Sequence, residues 1–202
     1  MVIVRAITLR VSIVLILCVV NLTACCTVAN LTVCRSTGAS HEAENQVASS
    51  VIPNFREVDP GIYRGSQPKT PEDWAYLQSK HIKTIIKLDL ESEGSDDEAV
   101  RLGLMVVDAS GPPSNITDFW EAPKPERIRL AIQTLENESL RPIYVHCLHG
   151  HDRTGLVVGL FRVLHDHYTK LEAFNEMCEN NFHWQFPGLF EVWKNFDGKT
   201  LP

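Results

Sequence analysis

The stretch from Pro142 to Leu164 constrains this chain more than any other. A β-branched apolar run, Ile143 to Val145, leads straight into His146 and Cys147. A loop containing Gly150 follows, then Arg153-Thr154-Gly155, then a long apolar segment from Leu156 to Leu164. The pattern predicts a buried strand, a tight loop and a buried helix. Such a loop empties into a helix N-terminus, where unpaired N–H groups and the helix dipole attract an anion. Successive loop amides can form a nest that strengthens this attraction.

A cysteine at the start of that loop sits in a field that favours its thiolate, the form in which it is a nucleophile. An arginine at the loop's end offers a planar fork able to grip two oxygens of a tetrahedral oxyanion. Cys147 and Arg153 lie six positions apart, enough chain to wrap one phosphate group. Cys147 would attack phosphorus in line with the leaving oxygen. Leu148, His149, Gly150, His151 and Asp152 would surround the phosphate, and with Arg153 would hold its equatorial oxygens.

His146, Cys147, Gly150, Arg153 and Thr154 resemble the signature of the cysteine-dependent phosphatases, His-Cys, five residues, Arg-Ser/Thr. The finer form, His-Cys-x-His-Gly-x-Asp-Arg-Thr-Gly, resembles the bacterial branch of dual-specificity-like phosphatases. Tyr63-Arg64-Gly65-Ser66-Gln67-Pro68 also resembles the opening of that family, and the likeness covers most of residues 52–196. It implies a protein tyrosine or dual-specificity phosphatase working through a phosphocysteine intermediate, with no cofactor. Thr154 would hydrogen-bond the departing thiolate, and His146 would fix the loop. The implied partner is a phosphorylated protein or a small phosphomonoester. Phosphoinositides and inositol phosphates are used by relatives and stay open as alternatives. A sulfur-transfer or arsenate-reducing enzyme and a non-catalytic phosphate-binding module are rivals from other classes.

The family's general acid is usually an Asp on a mobile loop ahead of the Cys. Asp118 lies 29 positions before Cys147, mid-loop beside Phe119 and Trp120. This resembles, without matching, the Trp-Pro-Asp loop of tyrosine phosphatases. Asp108, Glu121 and Asp152 are the alternatives. Arg64 reads as a brace of the fold, with a reach into the site as the other possibility.

Strand and helix patterns alternate along the chain, which argues for an α/β fold with a central, largely parallel sheet. Thr70-Pro71-Glu72-Asp73 reads as a helix start and Thr169-Lys170-Leu171-Glu172 as a capping box. Ser95 to Glu98 reads as a second capping box. Lys83 to Leu90 and Leu104 to Val107 read as strands, with Asp108 at the end of the latter. Ile128, Ala131, Ile132 and Leu135 share one helical face. Phe182 to Trp193 is expected to close the core.

Residues 1–24 read as a secretory signal, with Arg5 and Arg10 ahead of the apolar run Val11 to Val20. An uncleaved anchor is the alternative. Leu22-Thr23-Ala24-Cys25 resembles a bacterial lipobox, which implies lipidation of Cys25 and a membrane-anchored lipoprotein of the cell envelope. Residues 25–50 would form a flexible tether and residues 51–202 the domain. Removing the signal makes the formal charge, −6 for the whole chain, two units more negative. That acidity argues against a nucleic-acid partner. No Cys/His cluster has metal-ligand spacing, so no metal is expected. Cys178 reads as a buried packing thiol on a helix face with Leu171 and Phe174.

Overall fold

A computed structural model describes residues 52–110 and 122–202. The expected signal and tether, Cys25, Asp118 and Glu121 lie outside the described residues. Five strands form one sheet in the order β1-β2-β5-β3-β4. They are β1 (Arg56–Asp59), β2 (Ile62–Ser66), β3 (Thr84–Lys87), β4 (Met105–Asp108) and β5 (Ile143–Cys147). β1 and β2 are antiparallel, and the remaining pairs are parallel. β5 lies between β2 and β3, which is why its apolar run carries no polar alternation. All five of its residues are buried.

Side chains alternate across the sheet, and residues in register share a face. Tyr144 and its neighbour Ile85 face one side, where they pack with Trp74, Leu77 and Ala99 of helices α1 (Pro71–Ser79) and α2 (Asp97–Arg101). Val145, Ile86 and Arg64 share the opposite side with Cys147. That side is covered by α4 (Asp152–Leu164), and α4 is itself packed by α3 (Pro125–Glu136), α5 (Lys170–Glu179) and α6 (Pro187–Asn195). Leu156 to Phe161 in α4 are all buried, as their unbroken apolar sequence requires.

The helix starts follow local chemistry. Thr70 Oγ1 accepts from Asp73 N at 3.2 Å, and Asp73 returns a carboxylate to Thr70 N at 2.9 Å. Thr169 and Glu172 repeat the arrangement at 3.2 and 2.8 Å. Each such cap is worth about 1 kcal/mol. Ile128, Ala131, Ile132 and Leu135 are buried on one face of α3.

Three expectations need correction. β3 ends at Lys87 rather than Leu90, because the chain turns out of the sheet there. That turn brings Asp89 to His146 and leads into a single 3-10 turn at Glu91–Glu93. Ser95 to Glu98 forms no capping box. Ser95 Oγ accepts from Asp97 N at 3.1 Å, and α2 starts one residue later than the box requires. Cys178 is half-buried and disulfide-bonded, so it is no free packing thiol, and Leu171 is 54% exposed.

Candidate active site

The sheet's carboxyl edge ends β5 at Cys147 and starts α4 at Asp152, so only four residues make the turn. Gly150 lets them do so. Its φ is +75°, and a Cβ there would stand 2.4 Å from the carbonyl carbon of Gly65. Both the left-handed backbone and the close approach to β2 require glycine. Asn54 Nδ2 donates to His149 O at 2.9 Å, and Arg64 Nη2 donates to Gly150 O at 2.8 Å. In a planar trans peptide the N–H points opposite to the carbonyl. The amides of Gly150 and His151 therefore face away from Asn54 and Arg64, on the loop's other side. The first helical hydrogen bond runs from Gly155 N to His151 O at 2.8 Å. The loop thus has the geometry of an anion nest at a helix N-terminus.

Cys147 is a free thiol, 3% exposed, on the sheet face that α4 covers. His146 points to the opposite face and is fully buried. Its Nε2 lies 2.9 Å from Asp96 Oδ2. Its Nδ1 lies 3.0 Å from Asp89 Oδ1, a charge contact rather than a well-aligned hydrogen bond. Burial works against an imidazolium here, but Asp89 and then Asp96 outweigh it, and the His146 pKa is raised to about 9. Burial likewise pushes the Asp89 carboxyl up, yet His146 and Lys87 hold it below the usual range. Lys87 Nζ reaches Asp89 Oδ2 at 3.4 Å and donates to Gly94 O. The residue before Cys147 is thereby clamped in a buried network of two acids and two cations.

Arg153 is gripped from the 3-10 turn. Its Nη1 and Nη2 donate to Glu93 Oε2 and Oε1 at 2.7 and 2.9 Å, and Nη1 also donates to Leu88 O at 3.1 Å. Burial raises the Glu93 carboxyl, but the Arg153 hydrogen bond, Leu90 N–H and the Arg153 charge outweigh it and place it below the usual glutamate range. Sequence reasoning missed Glu93. The available signal was a half-buried arginine at the loop's end, which needs an acid partner.

The remaining expected residues fall variously. Thr154 is fully buried, and its hydroxyl has no hydrogen-bond partner among the described residues, so the expected bond to Cys147 is not seen. Asp152 Oδ1 accepts from His183 N at 2.7 Å and lies 3.0 Å from His183 Nδ1. That ties the start of α4 to the turn before α6 and gives Asp152 a bracing position. Asp108 ends β4, separated from β5 by β3, and its carboxylate accepts from Ser110 N and Oγ. His149 and His151 stand at the loop's rim with ring centroids 6.2 Å apart, and His183 lies 6.1 Å from His151. Burial lowers the His151 pKa, with Asp152 opposing and His183 and His149 adding. Leu148 is half-buried. Among the described residues no cluster of His, Cys, Asp or Glu is arranged to hold a metal ion.

A central, mostly parallel sheet with a cysteine strand end, an amide-lined loop and an arginine at the next helix start defines an α/β domain with the geometry of an anion site. The chain belongs to the tyrosine phosphatase family, whose model matches residues 51–181. A dual specificity protein phosphatase, TpbA of Pseudomonas aeruginosa, is 28% identical over 153 residues, covering 72% of this chain and 66% of that protein. Inositol diphosphatase DSP4 of Arabidopsis thaliana is 35% identical over 116 residues, 54% of each chain. This chain therefore spans just under two thirds of one relative and about half of the other. Among solved structures, the catalytic domain of the PP-IP phosphatase SIW14 from S. cerevisiae shares the fold. Its TM-score is 0.61 at 22% identity, covering 74% of this chain and 89% of that one.

Proposed function

We propose that this protein hydrolyses phosphomonoesters of phosphorylated proteins through a phosphocysteine formed on Cys147. The observation that carries this reading is Cys147 at the end of β5, six residues ahead of an Arg153 whose fork Glu93 orients. The Cys147 thiolate attacks phosphorus, an S–P bond forms and the P–O bond to the leaving group breaks. Loop amides and Arg153 hold the three equatorial oxygens. Glu93 takes the Nη1–Nη2 edge of Arg153, so we assign the oxyanion to the Nε–Nη2 edge. Asp118 gives its proton to the leaving oxygen. Water then attacks phosphorus, the S–P bond breaks, and the carboxylate takes the water's proton. Thr154 would turn its buried hydroxyl to the departing sulfur in this second step.

The dual-specificity relative supports a phosphoprotein substrate. A second reading, hydrolysis of inositol diphosphates, is supported by the inositol diphosphatase relative. His151 at the rim weighs against it, since an imidazole whose pKa is lowered by burial attracts a polyanion less than a lysine would. The test is phosphate release from phosphotyrosine, phosphoserine and phosphothreonine peptides against an inositol diphosphate at equal concentration. Faster release from the peptides supports the first reading, and faster release from the inositol diphosphate replaces it with the second.

A further inference from the structure

We propose that Arg64 is a positioning residue of the phosphate loop: it fixes the Gly150–His151 peptide from beneath and supplies a buried positive charge for the loop's anions. The inference rests on the reading of Cys147 as the nucleophile. It starts from an imbalance. Arg64 is 1% exposed and among the largest fully buried side chains. A guanidinium buried this deeply is costly unless charge and hydrogen bonds compensate it. Among the described residues it forms no ion pair with a carboxylate, and its one hydrogen bond is Nη2 to Gly150 O at 2.8 Å. Its Nε and Nη1 are buried without a partner. A residue kept only to brace the sheet would not need a charge in that position.

The fold shows where that charge points. Arg64 is in register with Val145 on β5, and Ser66, two residues on, is in register with Cys147. The alternation puts Arg64 and Cys147 on the same face, one step apart along the strands. A Cβ on Gly155 would stand 3.8 Å from Arg64 Nη2, so the guanidinium lies under the first turn of α4. It is therefore enclosed by the loop, the helix start and β5. Of the charges acting on it, Arg56 and Arg162 repel, while the Cys147 sulfur and then Glu176 attract. Burial, first, and this repulsion lower its pKa to about 10, which leaves it cationic at neutral pH. The attraction that most favours its charge thus comes from the Cys147 sulfur, and a phosphate in the loop would add to it. Holding Gly150 O, Arg64 also keeps the His151 N–H aimed away from itself, into the nest.

The test uses the full chain with Arg64→Met and Arg64→Lys. Alkylation of Cys147 by iodoacetamide is followed across pH by mass spectrometry of its peptide, together with inhibition by inorganic phosphate and thermal melting. Arg64→Met is expected to move the half-plateau of alkylation up by about one pH unit, a tenfold change in thiolate population. It should also weaken phosphate inhibition about tenfold. Arg64→Lys keeps the charge and loses the fixed fork. It should retain the wild-type alkylation profile and still bind phosphate several-fold more weakly. A folded Arg64→Met with both properties unchanged would overturn the proposal. Should that variant not fold, wild-type phosphate affinity in Arg64→Lys overturns it instead. Failure of the Cys147 reading is separate, since wild-type protein would then form no phosphocysteine whatever Arg64 does.

Discussion

Glu93 holds Arg153 along one whole edge of the guanidinium, Nη1 to Oε2 at 2.7 Å and Nη2 to Oε1 at 2.9 Å. A loop arginine left to itself would sample many rotamers and lose entropy on binding phosphate. Fixed by Glu93, it would meet an oxyanion already oriented. Glu93→Gln keeps the shape and removes the charge. Since a hydrogen bond to a charged group is worth ~1.5–3 kcal/mol, kcat/KM for an aryl phosphate should fall by tenfold or more. The Glu93 pKa is depressed in the fold, so its pairing stabilises above the usual glutamate range and is lost as pH falls through the depressed value. Acid melting curves of Glu93→Gln should show a shallower decline below about pH 4.3 than wild type.

His146 gives the opposite sign. Its folded pKa of about 9 lies above the ordinary 6.5, so its contribution is fully present below pH 6.5 and fades as pH rises through about 9. Urea denaturation should show stability declining over that window, and the decline should be reduced in His146→Asn. His146→Ala strands the buried Asp96 carboxylate and leaves Asp89 with Lys87 alone among the described residues. Removing one partner of a buried pair costs about 3–5 kcal/mol, so this variant should be among the least stable of any single substitution.

Gly150→Ala should lose activity for reasons of space and backbone together. The new Cβ would meet Gly65 at 2.4 Å and sit on a φ of +75°. The loop must then move off β2, which breaks the Arg64 contact with Gly150 O. A left-handed non-glycine costs about 1–3 kcal/mol before the clash is counted. Melting temperature and aryl phosphate turnover should both fall, and the loss of turnover should exceed what unfolding at the assay temperature explains.

The sheet, the helix starts and the Cys147 to Arg153 loop are legible because each rests on local chemistry. Ile143 to Val145 has no polar alternation, so it must be central. Thr70 with Asp73 and Thr169 with Glu172 cap within four residues. Gly150 marks a turn that nothing else could make. What escapes the sequence depends on contacts across the fold. Glu93 meets Arg153 across 60 positions, and Asp96 meets His146 across 50. No local pattern distinguishes those acids from Glu91 or Asp97, which the sequence shows equally. Ser95 fails as a cap for the same reason. Asp96, the residue after it, is drawn inward to His146, and α2 starts from there.

The general acid separates by leaving group. Asp118→Asn should slow alkyl phosphates far more than activated aryl phosphates, because only the alkoxide needs a proton to leave. The basic limb of its pH–rate profile should flatten. Asp152→Asn should instead lower melting temperature and slow all leaving groups alike, since Asp152 ties α4 to His183. A leaving-group dependence in Asp152→Asn and none in Asp118→Asn would transfer the role.

The most direct measurement is a rapid acid quench of the protein during turnover of an aryl phosphate, followed by mass spectrometry of the Cys147 peptide. The account predicts one phosphoryl group on Cys147 in wild type. It predicts none in Cys147→Ser, which should fold like wild type and turn over at under a few per cent of its rate, because a serine hydroxyl is far less acidic than a thiol. Turnover without phosphate on that peptide, or near-normal turnover by Cys147→Ser, would contradict the assignment of Cys147 as nucleophile.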